Sequence, residues 1–108
     1  PKNLERARYW FTRAADSGNA AAQYQVAVMA SQGAGGPKDE ATVALYYKKS
    51  LQTWKKEADD GDSKAALWAA LVYERKLVPD SSPEKSVPYL LQAAESGNLT
   101  AQGLLAFK

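Results

Sequence analysis

The sequence predicts an all-α chain built from stacked helix pairs, and three observations carry that prediction. Twenty of its 108 residues are alanine, none is isoleucine, and only six are valine and four threonine. That balance favours helix and leaves few β-branched residues for a sheet. The segment Ala14-Ala15-Asp16-Ser17-Gly18-Asn19 recurs as Glu57-Ala58-Asp59-Asp60-Gly61-Asp62 and again as Ala93-Ala94-Glu95-Ser96-Gly97-Asn98, at intervals of 43 and 36 residues. The agreement also extends outward from each glycine, which marks an internal repeat. Small residues lie eleven positions before it (Ala7, Ser50, Ser86), and aromatic or large apolar ones seven or eight before it (Trp10 and Phe11, Trp54, Tyr89 and Leu90). Four and five after it come Ala22-Gln23, Ala65-Ala66 and Ala101-Gln102; eight and nine after it come Val26-Ala27, Ala69-Ala70 and Leu105-Ala106.

Each element follows from a local signal. A first helix over 4–17 ends where Gly18 accepts a left-handed backbone, and Asn19 can cap the next helix with its side-chain oxygen. That second helix spans 19–32 and stops at Gly33-Ala34-Gly35-Gly36-Pro37-Lys38, a loop that closes on Asp39 as the N-cap of a third helix over 40–60. Gly61 and Asp62 repeat the stop-and-start signal and open a fourth helix over 62–76. Pro79-Asp80-Ser81-Ser82-Pro83 then forms a turn in which Ser82 is the expected N-cap and Pro83 suits the first helical position. The fifth helix, 83–96, ends at Gly97, and Asn98 opens a sixth over 98–107. The opening Pro1-Lys2-Asn3 matches Pro37-Lys38-Asp39, so residues 1–108 are expected to be a single repeat array, cut from a longer repeat protein, with junctions near 18, 61 and 97.

The composition excludes several classes. With no cysteine and no histidine there is no disulfide framework, no Cys/His zinc site and no catalytic triad. A net charge of +2 is too small to imply nucleic acid as a partner. No apolar run approaches the roughly 18 residues of a membrane span, and the given residues contain no basic-then-apolar secretory pattern, a targeting segment being expected to have been cut away if the protein has one. The chain opens at Pro1 rather than methionine, which leaves the compartment open between envelope, periplasm and cytoplasm.

Three motifs suggest chemistry and are better read as structure. The glycines and Lys38 of the 33–38 loop evoke a phosphate cradle, but Pro37 precedes the lysine, and Asp39 follows it where a Ser or Thr is required. Asp59-Asp60-Gly61-Asp62 lacks the remaining ligands of a calcium loop, and its equivalents show it to be the shared helix junction. Lys48, Lys49, Lys55 and Lys56 recur at a spacing of seven and read as a solvated face, since Glu57, Asp59 and Asp60 follow. Trp10, Trp54 and Trp68 read as packing residues. The longer interval between glycines implies a seven-residue insertion between Asp39 and Ser50, about two helical turns, which lengthens the third helix while keeping its face.

On Gly18-Asn19, Ala22-Gln23, Val26-Ala27, Gly33, Gly35 and Asp39, and on their counterparts in the other copies, the chain resembles the Sel-one-like repeats, relatives of the tetratricopeptide repeat. Lys76 departs from the pattern where a loop glycine is usual, and the cysteine-rich branch of the family is not matched. The resemblance implies an α-α superhelix, a solenoid of stacked antiparallel helix pairs. It also implies a non-enzymatic adaptor, in a bacterial setting, that binds a protein or peptide on its concave face without cofactor or metal. A small-molecule or cell-envelope polysaccharide module, peptidoglycan included, is the alternative. By analogy with tetratricopeptide arrays, the first helix of each pair lines the concave face. The expected lining is Ala21, Tyr24, Val28, Ser31 and Gln32, then Lys64, Leu67, Leu71, Glu74 and Arg75, then Thr100, Gly103 and Phe107. Tyr46, Tyr47 and Lys48 form the rival surface. Self-association through open repeat ends is a further expectation.

Overall fold

The computed structural model describes residues 2–107. Pro1 and Lys108 lie outside the described residues, and with Pro1 the expected match of the opening tripeptide. All regular structure in the described part is helical: α1 (Lys2–Asp16), α2 (Ala20–Gln32), α3 (Glu40–Asp59), α4 (Ser63–Glu74), α5 (Pro83–Glu95) and α6 (Leu99–Leu105). The chain divides into two compact units within α3, between Thr53 and Trp54.

In the first unit α1 packs on α2. Ala15, Ala22 and Val26 form its buried centre, with Ala14 and Tyr46 against them. These small side chains let the helix backbones approach closely. Tyr24 of α2 meets Tyr47 of α3 edge-on, with ring centroids 5.3 Å apart. The loop after α2 folds back onto α1. Gly35 has φ +72°, and its Cα faces the backbone carbonyl of Leu4 so closely that any Cβ would overlap it. Arg8 Nη1 donates to the carbonyls of Ala34, at 3.4 Å, and Pro37, at 3.2 Å, tying loop to helix.

In the second unit α5 packs on both α4 and α6. Ala65, Ala66, Ala69, Ala70 and Val72 of α4 are buried, as are Ser86, Leu90 and Ala93 of α5. Trp54 stacks on Trp68, with centroids 5.5 Å apart and planes 17° from parallel. Ser86 occupies the fully buried position of small residues predicted eleven before Gly97, and its hydroxyl is satisfied by the Pro83 carbonyl at 2.7 Å. Ser50 is likewise fully buried and bonded to the Tyr47 carbonyl at 2.8 Å.

The three helix junctions are the same object. Gly18, Gly61 and Gly97 all have positive φ, at 98°, 105° and 92°. Asn19 N–H donates to the Ala14 carbonyl at 3.2 Å while Gly18 N–H donates to Ala15 at 3.0 Å, the paired bonds of a Schellman stop. Asp62 and Gly61 make the same two bonds to Glu57 and Ala58, and Asn98 and Gly97 make them to Ala93 and Ala94. The following helix starts on the same residue. Asn19 Oδ1 accepts from Ala22 N–H at 2.8 Å, Asp62 Oδ1 from Ala65 at 3.0 Å, and Asn98 Oδ1 from Ala101 at 2.9 Å. One residue thus closes one helix and caps the next.

Other expectations differ in detail. α1 begins at Lys2, so Asn3 lies inside the helix instead of capping it. Ser82 is the N-cap of α5, but its side chain makes no cap hydrogen bond; Pro83 sets the first turn instead. α4 ends two residues early, at Glu74. There Lys76 takes φ 55° and builds the same stop, with Lys76 N–H on Tyr73 and Leu77 N–H on Val72, both at 3.1 Å. Lys76 stands fifteen residues after Gly61, as Gly33 does after Gly18, so a lysine performs the glycine's turn at a conformational cost. The seven-residue insertion is real: α3 has 20 residues and α5 has 13.

Glycine and lysine at these stops give an opposed pair of expected results. Gly61 has nothing within 4 Å of where a Cβ would sit, so Gly61→Ala costs only the left-handed backbone, about 1 kcal/mol. Lys76→Gly relieves the same strain and stabilises by roughly 0.5–1 kcal/mol. Chemical denaturation of both variants checks this; a Lys76→Gly variant weaker than the parent would refute the shared-turn reading.

Candidate functional site

The Ala-Gln pair that recurs in the sequence has a structural task. Gln23 is buried; its Nε2 donates to the Ala15 carbonyl at 3.1 Å, and its Oε1 accepts from the Thr53 hydroxyl at 2.9 Å. Gln102 Nε2 donates in the same way to Ala94, at 3.1 Å. The middle copy has Ala66 in place of the glutamine, and the corresponding carbonyl, Ala58, is served from α5 by Gln92 Nε2 at 2.7 Å. The same bond is thus made from a different helix.

The loop and junction motifs are occupied by the fold itself. Asp39 accepts from the amides of Ala41 and Thr42, at 3.1 and 3.3 Å, and from the Thr42 hydroxyl at 2.7 Å. The Thr42 bonds hold its carboxyl below the usual pKa range and place negative charge where a phosphate would have to sit. Among the described residues no group of three or more His, Cys, Asp or Glu side chains could hold a metal. No helix among them is long and apolar enough to cross a membrane.

The first-helix residues expected to line a binding face fall into two sets. On α2, Ala21, Ser31 and Gln32 are exposed, while Val28 and Tyr24 are half-buried, the latter against Tyr47. On α4, Lys64 and Arg75 are exposed, and Leu67, Leu71 and Glu74 are half-buried. Thr100 and Gly103 are exposed on α6, and Phe107 beyond it is 90% exposed. Leu67 and Leu71 lie one turn apart, with Lys64 one turn before and Arg75 one turn after along the same stripe.

The rival surface needs correction. Tyr47 is only 7% exposed, and its ring meets that of Tyr24 edge-on, so it belongs to packing and not to a surface. Tyr46 is half-buried. Its hydroxyl donates to Asp16 Oδ1 at 2.9 Å; burial first, then the bond and charge of Asp16, raise its pKa. Lys48 is exposed. The lysine face is less solvated than its spacing implied, since Lys49 lies 4.9 Å above the Tyr46 ring and Lys55 lies 5.9 Å from that of Tyr73. The hydrogen bond to Tyr73 raises the Lys55 pKa against an opposing effect of burial. Tyr73 also stacks on Tyr89, at 6.3 Å. An open cleft of about 430 Å³ runs between Asp16, Gly18, Gln23, Lys49 and Gln52.

Sequence reading missed the outer face of α1. Trp10, expected to pack, is 63% exposed, and Phe11 is 38% exposed. Tyr9 meets Trp10 edge-on at 5.2 Å, and the Arg13 guanidinium lies over both rings, 5.7 and 5.8 Å from their centroids. Trp68 is partly exposed as well, although its ring stacks on Trp54.

Helix pairs that begin and end on a shared Gly-Asx turn, with small residues at fixed offsets, define a helical-repeat protein of the α-α superhelix class. The Sel1 repeat profile matches residues 1–19, 20–50 and 63–98, and the chain belongs to the Sel1 repeat family. Repeats of this family are commonly protein–protein interaction modules and generally non-catalytic scaffolds. Among solved structures, the chain is similar to a protective antigen of uropathogenic Escherichia coli strains that displays an SLR fold. Identity is 23% and the TM-score 0.46, over 88% of this chain and 27% of that one. It is also similar to a Sel1 repeat protein from Oxalobacter formigenes, at 22% identity and TM-score 0.48, over 94% of this chain and 54% of that one. The chain therefore spans only about a quarter and about half of these two proteins. No curated protein matches it.

Proposed function

We propose that the chain is part of a non-enzymatic adaptor that holds a protein or peptide partner on the first helices of its pairs. The observation that carries this reading is the α4 stripe: Leu67 and Leu71, each partly open, with the exposed cation Lys64 one turn before them. Two apolar side chains one turn apart suit the paired anchors of an amphipathic helix or extended peptide, and the flanking lysine favours an acidic residue beside those anchors. Tyr24, Val28 and Gln32 offer a similar mixture on α2. Partner capture would then need neither cofactor nor metal.

A random peptide library displayed on phage and selected against the chain tests this. The expected winners carry two apolar residues three or four apart with acidic neighbours. Leu71→Ser combined with Lys64→Glu should reduce their binding at least tenfold, about 1.4 kcal/mol, with helical circular dichroism unchanged. Unchanged affinity in that variant, with loss on Tyr46→Ala and Lys48→Glu, would move the site to α3. Selection of polysaccharide fragments over peptides in a parallel glycan screen would favour the envelope-binding alternative.

A further inference from the structure

The cleft beside the first helix junction holds two opposite charges that the fold keeps apart. Its walls all lie within residues 15–53: Asp16 and Gly18 where α1 ends, Gln23 on α2, and Lys49, Gln52 and Thr53 on α3. Asp16 gives one carboxylate oxygen, Oδ1, to the Tyr46 hydroxyl, and its second oxygen takes no hydrogen bond from the described residues. Lys49 lies over the face of the same ring, 4.9 Å from its centroid, and forms no ion pair among the described residues. Tyr46 thus stands between a carboxylate and an ammonium that line one cleft without pairing. The floor is closed, because the Gln23 amide is held by the Thr53 hydroxyl and the Ala15 carbonyl. Gln52, exposed at the rim, adds a donor and an acceptor. Nothing lies within 4 Å of where a Cβ on Gly18 would sit, so the mouth is open there.

The matching place in the second unit lacks these features. Counted from the junction glycines, Asp16, Lys49 and Gln52 correspond to Asp59, Lys85 and Pro88. Lys85 is already engaged, with Nζ 2.7 Å from both the carboxylate and the backbone carbonyl of Asp80. Pro88 has no side-chain amide to offer. The unpaired charges are therefore a property of the first unit and not of the repeat.

We infer that this cleft binds a small zwitterion of dipeptide size, with its ammonium on Asp16 and its carboxylate on Lys49 and Gln52. Because no ion pair joins the two protein charges, they call for a ligand whose own charged ends are separated. A dipeptide meets this, since two residues span at most about 7 Å when extended. The cleft volume of about 430 Å³ falls within the range of small-molecule sites. Water reaches an open cleft and screens both contacts, so the affinity is weak, with Kd on the order of 1 mM.

Titration of the isotope-labelled chain with glycylglycine, followed by NMR, tests this. Saturable shifts are expected at the Gly18 backbone amide and the Gln52 side-chain amide, and none at Gly61. N-acetylglycylglycine lacks the ammonium and glycylglycine amide lacks the carboxylate. Each should bind about fivefold more weakly, the upper range for one exposed ion pair. Asp16→Asn, which keeps an acceptor for the Tyr46 hydroxyl, and Lys49→Gln should weaken glycylglycine by the same factor, with circular dichroism unchanged. Blocked and free forms binding alike to the parent chain would overturn the inference. So would acetate binding as well as glycylglycine, since that would mean a bare anion site at Lys49, and so would shifts that fail to saturate or centre outside the cleft. The peptide-binding reading stands or falls separately, as neither substitution touches the α4 stripe.

Discussion

Gly35→Ala is expected to destabilise the first unit by about 2–4 kcal/mol, combining a strained left-handed residue with overpacking against backbone. The added methyl would overlap the Leu4 carbonyl oxygen, lie 2.8 Å from the Leu4 carbonyl carbon and 3.0 Å from Arg8 Cβ. Neither the carbonyl nor a Cβ can swing aside, so the loop must lift off α1. The Arg8 bonds to Ala34 and Pro37 would lengthen or break with it. Gly36→Ala provides the contrast, since its Cβ would meet chiefly the far end of the Arg8 guanidinium, 2.8 Å from Nη1, which can rotate away at the cost of its bonds to Ala34 and Pro37 but without moving backbone. Denaturant titrations should separate the two variants clearly. Equal midpoints for them would show that the close approach of loop to helix contributes little.

Leu90→Ala is expected to cost about 2–5 kcal/mol, the range for truncating a buried leucine that leaves a cavity. Leu90 is the largest of the fully buried side chains and belongs to α5, the helix on which both α4 and α6 pack. Four of the six buried residues of α4, which packs on α5, are alanines, which have no long side chains to swing into the space. Natural domains are held by only about 5–15 kcal/mol, so this one change removes a large part of the total. For a domain of this size the melting temperature should fall by roughly 10 °C or more. Phe107→Ala, at a site 90% exposed, should leave it nearly unchanged; a comparable loss there would show that the core is not where these burial patterns put it.

These two residues also show what was readable at each level. The Gly-Asx junctions were legible because a glycine stop and an Asn or Asp cap depend on backbone geometry within a few residues. Gly18, Gly61 and Gly97 behave as their neighbours require, whatever packs around them. The positions that must be small, such as Ser50 and Ser86, were legible because three copies presented the same offset. The extra two turns of α3 were legible as arithmetic on the glycine spacing.

Other features run against their local signal or have none. Pro88 lies within α5, where propensity alone would end or bend the helix. The helix continues because Ser86, Leu90 and Ala93 on its inner face are wholly buried, and that burial outweighs a weak local preference. Lys76 has no intrinsic claim on a left-handed conformation; it adopts one because Val72, Tyr73 and Val78 on either side are buried and leave the connecting residue little choice. The candidate surface was least legible. Tyr46 and Tyr47 are adjacent in sequence, yet one reaches Asp16 and the other lies beneath Tyr24. The replacement of a missing glutamine at Ala66 by Gln92 likewise joins residues far apart in the chain.

The sequence by itself determined the helical class, the three repeat junctions with their caps, and the small positions of the core, because each is set by backbone conformation or by a periodicity that repeats. Only the tertiary structure decided which aromatics are covered. Trp54 and Trp68 stack on each other yet are 5% and 40% exposed, because the burial of each ring depends on which other elements reach it, and no residue encodes its neighbour's presence.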